Sequence, residues 1–432
     1  MAIYSTESVH ISLLLVILLV NLFLVPITAD VSAAGLAAAE VLSAERRMSD
    51  KWFGSLTTLT LYDDFSDPAN VARFEAVWDE LKALFTLYHE AVKLEPGSDV
   101  SRINALACGE SIEIGLPAAA VLEQALHIYE STDGRFDPTV HVMVDLWGFT
   151  PRFRSNAYTP AMPYDRELVD GRLPNPQPEM VEALLPLVGL DHFTIEMTES
   201  GARVTKCMPG VQIDGVTVEA GMDLGGAAKG HVLNEGLAIL RGHGYEYGML
   251  SLGGSSVGVL QRPGDESDYR VNVGGLVDRL PSATHSSVSL MAKDTTISTS
   301  NDQLRRRVAD DIIYAHIIDP FTGWPMHTYA GIGPDERAGI FSATVVGKDG
   351  TVGDGLATAF CLMKPAEAIE WINEIGADFS VTLLAGKDGA DRVEVITNER
   401  SMTILDARYE IASEMDSSGA IRYTGDLFQP EP

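Results

Sequence analysis

Helical patterns that alternate irregularly with strand-like runs constrain this chain more than any other feature. The first follows Asp67 and Pro68, a helix cap and a first helical position, and sets Val71, Phe74, Trp78, Leu81, Phe85 and Tyr88 on one face. The second, "LPAAAVLEQALHIYESTDG", groups Val121, Leu122, Ala125, Leu126 and Tyr129 and stops at Gly134. A third begins at "GMDLGGAAKG", carries Leu233, Leu237 and Leu240, and closes over Gly242 to Gly244. Strands are predicted in "WFGSLTTLTLYDD", "YGMLSLGGSSVGVL" and "YRVNVGGL", a short helix over about Gly355 to Met363, and a helix returning as a strand in "WINEIGADFSVTLLAG". A parallel sheet would need regular βαβ repeats, so this order specifies an α+β fold.

The ends of the chain read differently. A charge-free apolar run from Val9 to Thr28 precedes the small residues of "ADVSAAGLAAAE". Residues 1–33 therefore read as a signal peptide or an N-terminal membrane anchor, and no cysteine follows to carry a lipid. Residues 34–50 read as a linker and 51–400 as the main domain, with a proline-rich surface excursion over about 150–180. Residues 401–432 read as a C-terminal extension, and its polar end "EMDSSGAIRYTGDLFQPEP" reads as a flexible tail. With 61 acidic residues against 31 basic, the formal charge of −30 opposes binding to nucleic acid. Cys108, Cys207 and Cys361 are widely spaced, so neither a disulfide framework nor a zinc site follows from them.

Four stretches hold polar residues that folding alone does not require. In "STDGRFDPTV", Gly134 can take a positive φ and Asp137 to Pro138 makes a turn, either around a ligand or as a plain helix exit. In "DLGGAAKG", paired glycines open a helix whose N-terminus favours anions, and Lys229 adds positive charge; a simple turn-to-helix junction is the other reading. In "YAHIIDPFTGWPM", His316 precedes a rigid turn and reads as a catalytic base or as a structural histidine. In "VGDGLATAFCLM", Asp354 and Thr358 share one helical face. That pair suits a hard cation such as Mg²⁺, or else an N-capping Asp354 with a back-bonded Thr358.

The order of "SDVSRIN", "GRFDPTV" with "LWGF", "DLGGAAKG", "SLGGS", "HIIDPFTGWP" and "GDGLATA" resembles the ApbE family, the FAD:protein FMN transferases, from about Trp52 to about Gly386. The resemblance implies a T-fold-type architecture of mixed strands and helices in two closely associated parts. It also implies FAD as substrate and Mg²⁺ as cofactor, with Asp354, Thr358 and the backbone carbonyl of Gly226 as metal ligands. Arg135, Phe136, Asp137, Asp223, Lys229 and Ile317 match flavin-contacting positions. Tyr88 resembles an aromatic residue near the flavin, with a longer stretch than usual between it and "SDVSRIN", and Phe53 stands where the family commonly has methionine.

The implied reaction moves FMN from FAD to a Thr or Ser hydroxyl of an acceptor protein and releases AMP, with His316 as candidate base. Its rivals are a Mg²⁺-dependent FAD pyrophosphatase and a non-catalytic FAD-binding protein of the cell envelope. The family often serves extracytoplasmic electron-transfer systems, which implies a periplasmic protein or one attached to the inner membrane and facing the periplasm.

Overall fold

A computed structural model gives the architecture. It describes residues 44–428, apart from 155–159, 170–171, 265–267, 275–285, 304, 310–311, 329–336 and 388. The N-terminal segment 1–33 lies outside the described residues.

One sheet organises the molecule. Among the described residues its nine strands lie side by side. They are β1 (Ala44–Trp52), β2 (Ser55–Asp63), β3 (Gly248–Leu252), β4 (Ser256–Val259), β5 (Thr295–Asn301), β6 (Ala338–Gly347), β7 (Phe379–Lys387), β8 (Val393–Thr397) and β9 (Tyr409–Ile411). Spatial order equals chain order, and every pairing is antiparallel except the last, β8 with β9. Neighbouring strands can therefore join by short turns, and the helices enter as insertions. The α+β reading holds.

Between β2 and β3 run α1 (Pro68–Val92), α2 (Leu116–Ser131) and α3 (Gly225–Gly242); between β6 and β7 run α4 (Gly350–Phe360) and α5 (Pro365–Ile375). Asp67 caps α1 by accepting from the Ala69 amide, and Phe74, Trp78, Leu81 and Phe85 are buried as the helical period requires. Gly134 takes φ +76° where α2 stops, its amide donating to the Tyr129 carbonyl at 2.9 Å. Helix α3 packs on α1, α4, β3 and β4, while α4 packs on β5 and β6.

Among the described residues the apolar interior forms two clusters. One lies under α1 and the N-terminal half of the sheet, around Trp52, Leu59, Leu81, Phe85, Leu237 and Leu250. The larger spans α2, α4, α5 and β5 to β8. Phe53 and Tyr88 pack against both.

Both margins differ from the sequence reading. Strand β1 begins at Ala44, inside the stretch taken as a linker, because residues 44–52 pair with β2 along its whole length. "WFGSLTTLTLYDD" is the turn and second strand of this hairpin, with Phe53 and Gly54 at φ 52° and 68°. The C-terminal stretch is not a flexible end among its described residues. Within the tail Ile421 is buried, residues 413–415 pair with 421–423, and the buried Glu394 carboxylate accepts from the Asp426 and Leu427 amides at 2.8 and 2.9 Å; ahead of it, β9 pairs with β8.

The excursion over 150–180 is pinned rather than loose where it is described. Arg152 pairs with Asp145 and Asp165, and the buried Tyr164 donates to Asp145 at 2.7 Å.

Candidate active site

The crossing of α3 and α4 forms one wall of the site. A methyl group on Gly230 would sit 2.1 Å from the Gly350 carbonyl, so only glycine permits this approach. Asn234 ties the helices: its amide donates to Asp349 at 3.0 Å and to Thr351 at 3.1 Å, and its carbonyl accepts from the Gly350 amide at 2.8 Å. Asp349, not Asp354, caps α4, its carboxylate accepting from Thr351 and Val352. The helix therefore starts a turn earlier than the expected Gly355, which leaves Asp354 inside it and removes the N-cap reading.

Asp354 is only 3% exposed. Its Oδ2 accepts from the Gly230 amide at 3.1 Å and faces the Lys229 ammonium at 3.5 Å; its Oδ1 accepts from the Ser256 hydroxyl at 3.4 Å. Burial raises its pKa above the ordinary carboxylate value, and Lys229, the Gly230 amide and Ser256 offset only part of that rise. Thr358, one turn on, donates to the Asp354 carbonyl at 3.3 Å and meets the Ser300 hydroxyl at 3.1 Å. This is the back-bonding arrangement of Thr358, one helical turn from Asp354 on the same face. Helix geometry aims the Gly226 carbonyl toward the Gly230 amide, the group bonded to Asp354. Carboxylate, hydroxyl and carbonyl make an all-oxygen donor set that fits a hard divalent cation, whose charge would relieve the buried carboxylate.

The entry to α3 is held from two sides. Asn104, the end of "SDVSRIN", accepts from the Met222 amide at 2.7 Å and donates to the Met222 carbonyl at 2.9 Å. The Asp223 amide donates to the Pro138 carbonyl, and the Asp223 side chain accepts from Gly225, each at 2.8 Å.

The second wall is the turn after His316. Asp319 closes it, accepting from the Gly323 amide at 2.8 Å and donating to the Trp324 carbonyl at 2.8 Å. Trp147, from "LWGF", lies beneath, its indole donating to the Gly323 carbonyl at 2.8 Å and its ring stacked on Tyr314. His316 Nδ1 lies 3.1 Å from the Arg305 carbonyl. A carbonyl only accepts, so that contact makes Nδ1 the protonated nitrogen and leaves the lone pair on Nε2. Ile317 is buried, and its carbonyl accepts from Met326 at 2.9 Å.

The stretch 135–137 joins the two walls. Arg135 pairs with Glu367 of α5 at 2.6 Å and lies over the exposed Phe321 ring of the turn. Phe136 is buried against Gly226, where a methyl group would be 2.7 Å from its ring. Asp137 accepts from the Thr139 amide and hydroxyl at 2.7 and 2.6 Å, and burial raises its pKa. On the far side of α3, His231 meets the Tyr88 hydroxyl at 3.2 Å, and the Phe53 ring packs on His89.

A continuous chain of contacts thus connects most of the residues singled out from sequence: the His316 turn through Phe321, Arg135 and Phe136 to Gly226, then along α3 to Lys229, Asp354 and Thr358. Ser256, Ser300, Asn234, Glu367 and His231 were missed. For Ser256 a signal existed, since it directly follows "SLGGS"; the others depend on which element lies opposite.

A largely antiparallel sheet packed against helices, with an oxygen-rich, lysine-flanked junction between α3 and α4, defines the class. The chain belongs to the ApbE family, whose model matches residues 53–382. It is 28% identical over 269 residues to the FAD:protein FMN transferase of Vibrio cholerae, covering 62% of this chain and 66% of that protein. It is 29% identical over 267 residues to the one from Rhodobacter capsulatus, covering 62% of this chain and 42% of that protein. The solved flavin transferase ApbE from Vibrio cholerae superimposes with a TM-score of 0.60 at 22% identity, covering 83% of this chain and 98% of that one.

Proposed function

We propose that this protein transfers FMN from FAD to a Thr or Ser hydroxyl of an acceptor protein and releases AMP. The observation that carries the reading is the buried Asp354 carboxylate beside Lys229 at the α3–α4 crossing, under-compensated and backed by further oxygens. Gly226, Asp354 and Thr358 would hold Mg²⁺, which would neutralise pyrophosphate charge as the P–O bond to AMP breaks. Lys229 and the α3 N-terminus bind and orient the phosphates. His316 Nε2 takes the proton of the acceptor hydroxyl as its oxygen bonds to the FMN phosphorus, and AMP departs with the bridging oxygen. Tyr88, Phe53, Phe136 and Ile317 supply apolar surface for the flavin, and Arg135, Asp137 and Asp223 its polar contacts.

The acceptor belongs, on this reading, to an extracytoplasmic or membrane electron-transfer system, and the enzyme is exported. Cell fractionation tests the location. The reaction is tested by incubating the protein with FAD and Mg²⁺, with and without an acceptor domain, and following products by mass spectrometry. An acceptor heavier by one FMN with stoichiometric AMP supports transfer. Free FMN and AMP irrespective of acceptor would establish the pyrophosphatase instead, and unchanged FAD would leave a binding protein.

A further inference from the structure

Cys108 and Cys207 stand 99 positions apart in the chain and meet at the end of one strand pair. The strands Ser111–Gly115 and Gly201–Lys206 are antiparallel, with Ser111 opposite Thr205 and their hydroxyls 2.8 Å apart on the outer face. Beyond them one strand carries an extra residue. The Gly109 amide donates to the Lys206 carbonyl at 2.7 Å and the Lys206 amide to the Glu110 carbonyl at 3.0 Å, so Gly109 and Glu110 together face Lys206. Gly109 at φ +87° is the left-handed glycine that such a bulge uses. The bulge shifts the register so that Cys108 falls opposite Cys207, on the face of Ser111 and Thr205, and both thiols are free and exposed.

Bonded and non-bonded pairs alternate along an antiparallel ladder, and the pair after the bonded Lys206 is a non-bonded one, the closer kind, with Cα atoms about 4.5 Å apart. That separation lies within the range a disulfide spans. The Cys207 amide accordingly turns away and donates to the His192 carbonyl at 2.9 Å. The Cys108 sulfur already lies over its neighbour, 3.8 Å from the Cys207 carbonyl, while the Cys207 sulfur rests 3.3 Å from the Asp191 carbonyl. Cys108 is held in place by its flanks, since the Ala107 amide donates to the Glu110 carboxylate at 2.8 Å and the Glu110 amide to the Ala107 carbonyl at 3.0 Å.

We propose that Cys108 and Cys207 are a disulfide-forming pair, present here as the dithiol. One thiolate attacks a sulfur of an external disulfide and releases its first thiol; the second cysteine then attacks the mixed disulfide, the Cys108–Cys207 bond forms and the second thiol leaves. The pair gives up two protons and two electrons, and the external disulfide becomes two thiols. Only side-chain rotation is needed, at the loss of two weak thiol contacts to carbonyls. Cys361 takes no part, being buried with its sulfur against the Ser300 carbonyl. The bridge fastens the margin that steadies the entry to α3: the Lys206 ammonium donates to the Asn104 carbonyl at 3.3 Å, and Asn104 brackets Met222. It requires no flavin chemistry, and the export proposed for this protein would bring it to an oxidising compartment.

The test equilibrates the full chain with mixtures of glutathione disulfide and glutathione, quenches with iodoacetamide under denaturing conditions and reads the products by mass spectrometry. The chain has three cysteines. In excess glutathione disulfide Cys361 alone should take the label, and a peptide pair joining Cys108 to Cys207 should appear and vanish on reduction; in glutathione all three should label. Cys108→Ser should abolish the peptide pair and leave Cys207 labelled or carrying glutathione. Repeating the titration in urea asks whether the fold aligns the thiols. Closing so long a loop in the unfolded chain should need a ratio of glutathione disulfide to squared glutathione at least about thirtyfold higher. Three labels at every ratio, a bridge joining two chains, or equal ratios for the folded and unfolded chain would overturn the assignment.

Discussion

The two walls of the site are built on opposite terms. At the α3–α4 crossing, glycine lets two helices touch and a carboxylate is buried with less compensation than its charge needs. The turn after His316 is complete in itself: the amides of Asp319 and of Phe321 to Trp324 are paired, Trp147 supports it from below, and Phe321 stands 55% exposed at its tip. One wall carries an electrostatic cost that a cation can relieve. The other presents side chains from a rigid base to whatever arrives from solvent. On the proposed reading, the first wall binds the nucleotide and metal, and the second meets the acceptor.

Asp354→Ala should break the comparison most severely. Transfer falls by at least about 10³-fold, because electrostatic stabilisation of the leaving AMP is lost, and the dependence of rate on Mg²⁺ disappears. A variant that still responds fully to Mg²⁺ would take the metal away from this wall. His316→Ala comes next: a drop of about 10² to 10⁴ in transfer, the range of general-base contributions, with FAD affinity nearly intact. Equal loss of both in titration and rate assays would reject the division between the walls.

How far the sequence revealed this arrangement can be followed residue by residue. Local signals worked: Asp67 capped α1, Gly134 ended α2, and the glycine pair opened α3. Non-local ones were silent. Asp349 and Asp354 both precede helical residues, and spacing cannot say which carboxylate reaches the free amides; the contact with Asn234 and Gly230 decides it. Phe53 at φ 52° hid a hairpin turn, since a bulky residue is rarely chosen for that conformation. The C-terminal strands looked like a tail because their anchor, Glu394, lies in β8 and binds backbone amides that composition does not record.

Glycine substitutions sharpen the contrast at the level of stability. Gly230→Ala drives a methyl into the Gly350 backbone and should lower stability by about 3 kcal/mol, the upper range for overpacking. Gly323→Ala, at φ +73° with side chains rather than backbone nearby, should cost about 1–2 kcal/mol. Denaturant midpoints compare them directly. Equal losses would mean that the helix crossing relaxes as easily as the turn, and that Asp354 is not held by it.

The smallest effect distinguishes support from chemistry at the second wall. Trp147→Phe keeps most of the ring packing against Tyr314 and Trp324 but removes the donor to the Gly323 carbonyl. An orphaned buried carbonyl costs about 1–2 kcal/mol, and the turn it steadies follows His316 and lies apart from the residues proposed to hold the metal. The variant should therefore lose a few-fold in kcat while KM for FAD and the Mg²⁺ dependence stay at wild-type values. If KM for FAD rises instead, the turn takes part in holding the nucleotide, and the separation of duties between the walls gives way to a shared pocket.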